Sequence, residues 1–462
     1  MRLVIHFVLI VISLFMYNNA PQKIDEHFMV KCFGVALASI VLYFAFKKKQ
    51  KNSLIISHSI LFTVAYVAVF YQFDIDYLLG FVDMTFRTNK LTIYNDRVVC
   101  RALCLANVAL NCFYFGLCIN ENKVYRANKV YKFNSYKTNL TRIGSFLVLI
   151  YVLTVNKQYL FNGYAKGYDP GYFATLSMML LQGTLIAFIT MQCYDCRRDK
   201  VKIEKLGAFL KIFRKSVILG LVIATLILMS GRRTEAVSVL LTMFFGFVYV
   251  YSGKIPVLRI VIGLLAFSFI FAFLSFYRTA YYNDVNQSIE AVSEISSVFP
   301  PTRELAFNAS SLHIVLTHVP AHANYNYGTS FFPGFLRIVP GLQNLFYAIV
   351  DLPLVENSSA FFCTIYGNGD LSWGLGTSCV ADVYLSFGVI GVVVIFILWG
   401  RYLGFLERVS YADFTNPFLL VLALCAFKEL IYVARASLSY CLNAYAYAFL
   451  LIYLHKKKVL RR

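Results

Sequence analysis

"GLGTSCVADVYLSFGVIGVVVIF", residues 374–396, opens with turn-forming residues, sets one carboxylate, Asp382, beside Tyr384, and then continues as unbroken hydrocarbon. A run this apolar, and long enough to cross a bilayer as a helix, belongs in a membrane rather than on the surface of a soluble domain. The acid at its entrance therefore sits at a membrane boundary, where a charge is tolerated only if it is solvated, paired or used. Similar runs recur from end to end, at 3–18, 29–46, 54–72, 100–119, 143–155, 172–192, 216–230, 235–251, 258–276, 382–400, 416–434 and 436–455. With 59% hydrophobic and 14% charged residues over 462 positions, the chain carries more apolar surface than one soluble core buries. The expected fold is an all-α polytopic membrane protein of about twelve transmembrane helices.

The net charge of +20 does not point to nucleic acid, because the basic residues sort by side of the membrane. With a cytoplasmic N-terminus, the inner segments are 47–51, 120–142, 194–215, 252–259, 401–415 and the tail from His455. Together with Arg2 they hold 28 of the 43 Lys and Arg, which sets the orientation. Both termini then lie in the cytoplasm, and the long loop at 277–381 lies outside. The first span is kept as structure, since "YNNAPQKIDEH" offers no small-residue cleavage pattern and a second span follows at once. No repeat and no Gly/Ser-rich or Pro-rich linker divides the chain, so residues 1–462 read as a single integral membrane domain.

Eleven cysteines, mostly within spans, show no zinc-ligand spacing, and no metal or cofactor motif is present. "CYDC" (Cys193, Cys196) reads as helix packing. Cys363 and Cys379 share the outer loop, where an oxidising compartment permits a disulfide without requiring one.

Function is expected first in the 277–381 loop, because loops of this length without a role are uncommon. Helical segments are expected at 288–298 and 302–319. In the second, Leu305, Ala309, Leu312 and Leu316 form one stripe and Glu304, Asn308 and Ser311 an opposing polar one. The loop contains no lysine, only Arg278, Arg303 and Arg337. Solubility would be served equally by Lys, whereas bidentate clamping of phosphate oxygens calls for the guanidinium fork. Arg232 and Arg233 in "MSGRRTEAV" and Arg435 in "IYVARASLSY" fall at the outer ends of spans and complete a one-sided set. For each arginine alone, a snorkelling anchor or a salt bridge to Glu235, Glu304 or Asp382 competes with binding; the set as a whole favours a polyanionic ligand. Glu304, Asp382, Asp370, His313 and His318 are the candidate acids and bases, Glu304 and Asp382 foremost and the histidines second, with a dipole-stabilising role competing at Asp382. Tyr327 and Tyr384 are candidate sugar contacts. A basic outer cleft open to lipid suits lipid-linked diphosphates, a glycosyl transfer needs a leaving group, and a polyprenyl diphosphate is one.

Four stretches carry a resemblance: "SGRRTEA" (230–236), "PPTRELAFN" (300–308) with "YNYGTSFFPGFLRIVPG" (325–341), "GLGTSCVADVYLSFGVIG" (374–391) and "VARASL" (433–438). With the topology, they make the C-terminal half similar to the O-antigen and oligosaccharide repeat-unit polymerases of bacterial envelopes. The family's segment before the tenth span carries Glu and Asn where this chain has Asp382 and Ser386; Tyr384, Phe387, Gly388 and Gly391 agree. The resemblance implies a C-type glycosyltransferase architecture shared with O-antigen ligases, set in the bacterial inner membrane with its active site facing the periplasm. It implies undecaprenyl-diphosphate-linked oligosaccharides as substrates, membrane lipids as surroundings, and a chain-length regulator and a flippase as partners. Three rivals remain, one of them an envelope scaffold or receptor without catalysis, which would leave the one-sided arginine set unexplained. A flippase or exporter of lipid-linked sugars would show paired halves of equal hydropathy, and an O-antigen ligase would use the same donor with a different acceptor.

Overall fold

The computed structural model describes residues 2–47, 56–82, 87–88, 91–92, 95–119, 129–161, 167–252, 297–299, 302–339, 341–349, 358–367, 376–411, 416–438 and 442–461. Helices α1 (Arg2–Asn18), α2 (Glu26–Ala45), α3 (His58–Phe70), α4 (Gln72–Leu78), α5 (Val99–Cys118), α6 (Tyr136–Thr154) and α7 (Lys157–Leu160) come first. Next are α8 (Tyr172–Arg198), α9 (Leu206–Ile212), α10 (Arg214–Met229) and α11 (Arg233–Val250). The remainder are α12 (Arg303–Ala306), α13 (Ser310–His318), α14 (Phe332–Leu336), α15 (Leu342–Ile349), α16 (Ser358–Gly367), α17 (Cys379–Tyr411), α18 (Pro417–Ala434) and α19 (Leu442–His455).

Every expected span except the ninth falls on a helix; 258–276 and the expected segment 288–296 lie outside the described residues. Among the described residues, six helices are long and apolar enough to cross a membrane, or up to eight if each bent pair counts as one span. The bent pairs are α3 with α4, turned by 47°, and α9 with α10, turned by 89°. This is a multi-pass helical membrane protein.

Helix α5 is almost wholly buried, with α1, α2 and α17 against it, and α8 gathers α6, α10, α11 and α19 around itself. Helix α18 joins the two groups, touching α3 and α17 on one side and α8, α11 and α19 on the other. Lipid offers no hydrophobic drive between helices, so packing and polar bonds must hold them. Buried asparagines of α5 supply some of these bonds: Asn107 Nδ2 donates to the Cys32 carbonyl at 2.9 Å, and Asn111 Oδ1 accepts from Ser39 Oγ at 2.8 Å. Close approach supplies the rest. A Cβ at Gly400 would collide with the Phe113 carbonyl, and one at Gly116 with the Ile397 carbonyl, so α5 and α17 pass backbone to backbone.

The two ends of the bundle differ. At one, Lys47 pairs with Glu407 at 3.0 Å, and strands Lys129–Phe133 and Lys456–Arg461 pair antiparallel, uniting two of the basic segments read as inner. At the other lie the end of α6, the starts of α8 and α11, and the start of α17. No disulfide joins Cys363 to Cys379, and Cys193 and Cys196 are buried in packing.

Gly400→Val is expected to destabilise the bundle by about 3 kcal/mol, since a backbone cannot yield as a side chain does. The control Ile390→Ala, at a residue 78% exposed on the same helix, should change stability by less than about 0.5 kcal/mol. Denaturant titration in detergent micelles compares the two; equal losses would mean that the glycine contact is not what joins α5 to α17.

Candidate active site

At the end of the bundle opposite Lys47 and Glu407 is a cavity of about 470 Å³. Its wall is assembled from distant parts of the chain: Tyr151 of α6, Tyr159 of α7, Met178 and Gln182 of α8, Ile227 of α10, Glu235 of α11, Ser358 of α16, and Asn443 of α19. Asn308, Ser330, Pro333 and Arg337 enter from the 302–339 segment, and Arg232, Tyr432, Arg435 and Ser437 from the helix ends around them. Methionines and Ile227 make one side apolar, while hydroxyls, amides and guanidinium groups make the other polar.

The polar side rests on α17. Ser378 begins that helix, its carbonyl accepting from Asp382 N at 2.9 Å and its hydroxyl accepting from Ala381 N at 3.4 Å. Asp382 is thereby held in the first turn, where the helix dipole favours a carboxylate. It is fully buried, and Ser330 Oγ donates to its Oδ1 at 2.8 Å. Ser358 and Ser437 stand beside the same carboxylate. Ser386, one turn on, donates to the Asp382 carbonyl at 2.9 Å and lies 3.3 Å from Ser330 Oγ. Asp382 thus lies one layer behind the cavity, reached through serine hydroxyls. The kink six residues later is made by Gly388, whose φ of 63° and ψ of −157° suit only glycine and leave room for the Tyr325 ring.

Three of the six arginines meet in the cavity. Arg232 precedes α11 and forms an ion pair with Glu235 one turn on, which is the salt bridge weighed against binding from the sequence. Arg435 caps the end of α18, with its guanidinium 5.7 Å from the centre of the Tyr432 ring. Arg337, at the end of α14, is exposed and donates from Nε to Gln343 Oε1 at 3.1 Å. Among the described residues no lysine lines the cavity.

Other sequence candidates fall elsewhere. Arg233 is buried and Arg303 half-buried at the start of α12, which packs on α3 and α4; neither lines the cavity. Tyr327 is 77% exposed. Tyr384, two residues from Asp382 and so roughly 200° around the helix, faces away from the cavity into a cluster with Tyr325, the ring centroids 6.2 Å apart. Arg278 and the side chain of Glu304 lie outside the described residues. The 302–319 segment is helical as expected, but its polar stripe is not solvated. Asn308 is buried and lines the cavity, and Ser311 donates to Ser378 Oγ at 2.9 Å. Among the described residues no group of three or more His, Cys, Asp or Glu is placed to hold a metal ion.

Sequence reading overlooked Ser330, Ser358 and Ser437, which carry no signal outside the fold, and also Lys428 and Glu429. Those two had a signal: adjacent opposite charges inside the apolar run "LALCAFKELIYVA".

The fold and cavity define a multi-pass helical membrane protein with an arginine-lined chamber over a buried carboxylate. The chain belongs to the O-antigen polysaccharide polymerase Wzy family, whose model matches residues 1–459. Among curated proteins and among solved structures, none matches. Membership supports an O-antigen polymerase role, that of a glycosyl-transferring polymerase acting on lipid-linked oligosaccharide repeat units in membranes.

His313 lies in the packed interior of α13, and burial lowers its pKa from 6.5 to about 3. The unfolded chain takes up a proton near pH 6.5 where the folded protein refuses it until about pH 3. Stability is therefore expected to fall as pH drops through that window, by up to roughly 1.4 kcal/mol per unit for this group. In unfolding titrations between pH 7 and 4, His313→Gln should show a shallower acid-side loss; an unchanged slope would mean that His313 is already protonated or accessible.

Proposed function

We propose that the cavity holds the diphosphate of an undecaprenyl-diphosphate-linked glycan and that the chain joins repeat units there. The observation that carries this reading is the convergence of Arg232, Arg337 and Arg435, from three separated regions, on one cavity without lysine. Guanidinium groups present paired donors that match phosphate oxygens, and near lipid they are worth more than in water. The apolar side, with Met178 and Ile227, suits the first isoprene units of the carrier. The described basic segments at Lys47, Lys129–Phe133 and Lys456–Arg461 gather at the opposite end, and the positive-inside tendency then supports a periplasmic position for the cavity.

In this reading the bond from the anomeric carbon of the growing chain to the diphosphate oxygen breaks, and undecaprenyl diphosphate leaves with the electron pair. A hydroxyl at the non-reducing end of the incoming unit forms the new glycosidic bond. Its proton passes through Ser330 to Asp382, the fully buried carboxylate behind the cavity wall. The arginines stabilise the charge that grows on the leaving group, where electrostatic catalysis acts most strongly. Arg278 and Glu304 remain candidates for the same set. A flippase that delivers units and a regulator that ends the chain are the partners proposed with this reading.

In a deletion strain complemented with each variant, Arg435→Ala and Arg232→Ala are each expected to cut polymer formation about 10- to 100-fold, the loss of one charge-assisted contact. Single repeat units should still reach the cell surface, and Arg435→Lys should restore little, since an ammonium offers no fork. Electrophoresis of the surface glycan reads the outcome. A full ladder from the double Arg232→Ala/Arg435→Ala variant would sink the diphosphate reading, and loss of all surface glycan with lipid-linked units retained inside would indicate a flippase.

A further inference from the structure

Behind the cavity lies a second, much smaller chamber of about 20 Å³ between α8, α11 and α18. The two share Gln182, Glu235 and Tyr432 as common walls. The far side of the chamber is charged. Lys428 and Glu429 form an ion pair with side chains only 3% and 4% exposed. Lys428 Nζ also donates to Ser238 Oγ at 3.2 Å, and Ser238 Oγ donates to Glu429 Oε1 at 3.4 Å. The ion pair joins neighbours on one helix, and both charges reach across to Ser238, one turn along α11 from Glu235.

Glu235 therefore stands between Arg232 on the cavity side and the Lys428–Glu429 pair on the chamber side. With the cavity empty, the charges of Arg232, Lys428, Glu235 and Glu429 balance. An arriving diphosphate competes with Glu235 for Arg232, and a carboxylate left facing phosphate oxygens in a poorly screened site opposes binding.

We propose that Glu235 is an exchangeable counter-ion, holding Arg232 while the cavity is empty and turning to Lys428 when a diphosphate takes Arg232. Lys428 is then a positioning residue: it acts through Glu235 and sets how readily the cavity accepts its substrate. The inference rests on the reading of the cavity as a diphosphate site. It also accounts for a lysine retained deep in a span, where an apolar residue would cost less.

The test is a double-mutant cycle on the full chain in nanodiscs, with farnesyl diphosphate as the titrated probe. Glu235→Gln should tighten binding about 10-fold and Lys428→Met weaken it about 10-fold, within the usual range of coupling between sites. The double variant should bind like Glu235→Gln alone, because without the carboxylate the ammonium has nothing to receive. Lys428→Arg should bind like the wild type, which keeps the test valid if Lys428→Met folds poorly. In polymerisation assays the Lys428→Met defect should appear in KM and disappear at high donor concentration. The proposal is overturned if Lys428→Met weakens binding equally in both backgrounds or if Glu235→Gln fails to tighten it. Those outcomes, with the wild type binding the probe and Arg232→Ala losing it, leave the diphosphate reading intact; no binding by the wild type would remove both.

Discussion

A charge inside a bilayer must find a partner, and the structure is arranged around that requirement. Three ion pairs fall at different depths: Lys47 with Glu407 at one end, Lys428 with Glu429 inside α18, and Arg232 with Glu235 where the cavity begins. The first is tied further, since Glu407 Oε1 accepts from Ser59 N at 2.6 Å, so that α3 and α17 are locked together. The third opens onto empty volume. A guanidinium already neutralised by a neighbouring carboxylate can sit near hydrocarbon without a ligand, and can still be offered to one. Arg435 and Arg337 are held by softer partners, the Tyr432 ring and the Gln343 amide, which cost less to leave than a carboxylate.

The six to eight described helices long and apolar enough to cross a membrane were legible because hydropathy survives without knowledge of contacts. Their ends were not, for reasons visible in particular helices. The span read at 143–155 belongs to a helix that begins at Tyr136, since "YKTNLTR" is polar yet continues the hydrogen-bonded spiral beyond hydrocarbon. The bend at Tyr71 and the elbow at Phe213 left no trace, because a change of direction does not alter the apolar content of the chain around it. The glycines of α5 and α17 looked like ordinary interruptions; only the crossing shows that Gly116 and Gly400 set how closely the helices approach.

Part of the site was legible for a different reason. Arginine in preference to lysine is a chemical choice that composition records, and it located Arg232, Arg337 and Arg435. What composition cannot record is direction. Asp382 and Tyr384 look like one motif, yet a two-residue step along a helix sends them to opposite faces, one towards the cavity and one towards Tyr325. Ser330 and Asn308 looked like ordinary loop and helix polarity, and only the fold brings the first to Asp382 and the second to Gly376.

The serine layer also bears on why the acid at this position is short. A glutamate at 382 would extend one methylene further into space now occupied by Ser330 Oγ, at 2.8 Å from the carboxylate. Aspartate instead keeps its charge behind the hydroxyls, and a buried carboxylate that receives such donors is stabilised without being presented to an incoming diphosphate. On the proposed diphosphate reading, an unpaired carboxylate on the cavity wall would repel the ligand; the one carboxylate the wall does show, Glu235, is paired with Arg232. Set one layer back, Asp382 would accept a proton through Ser330 without adding a negative charge to the wall. In that reading the shorter side chain and the hydroxyl layer are two parts of one solution to holding an acid beside an anion.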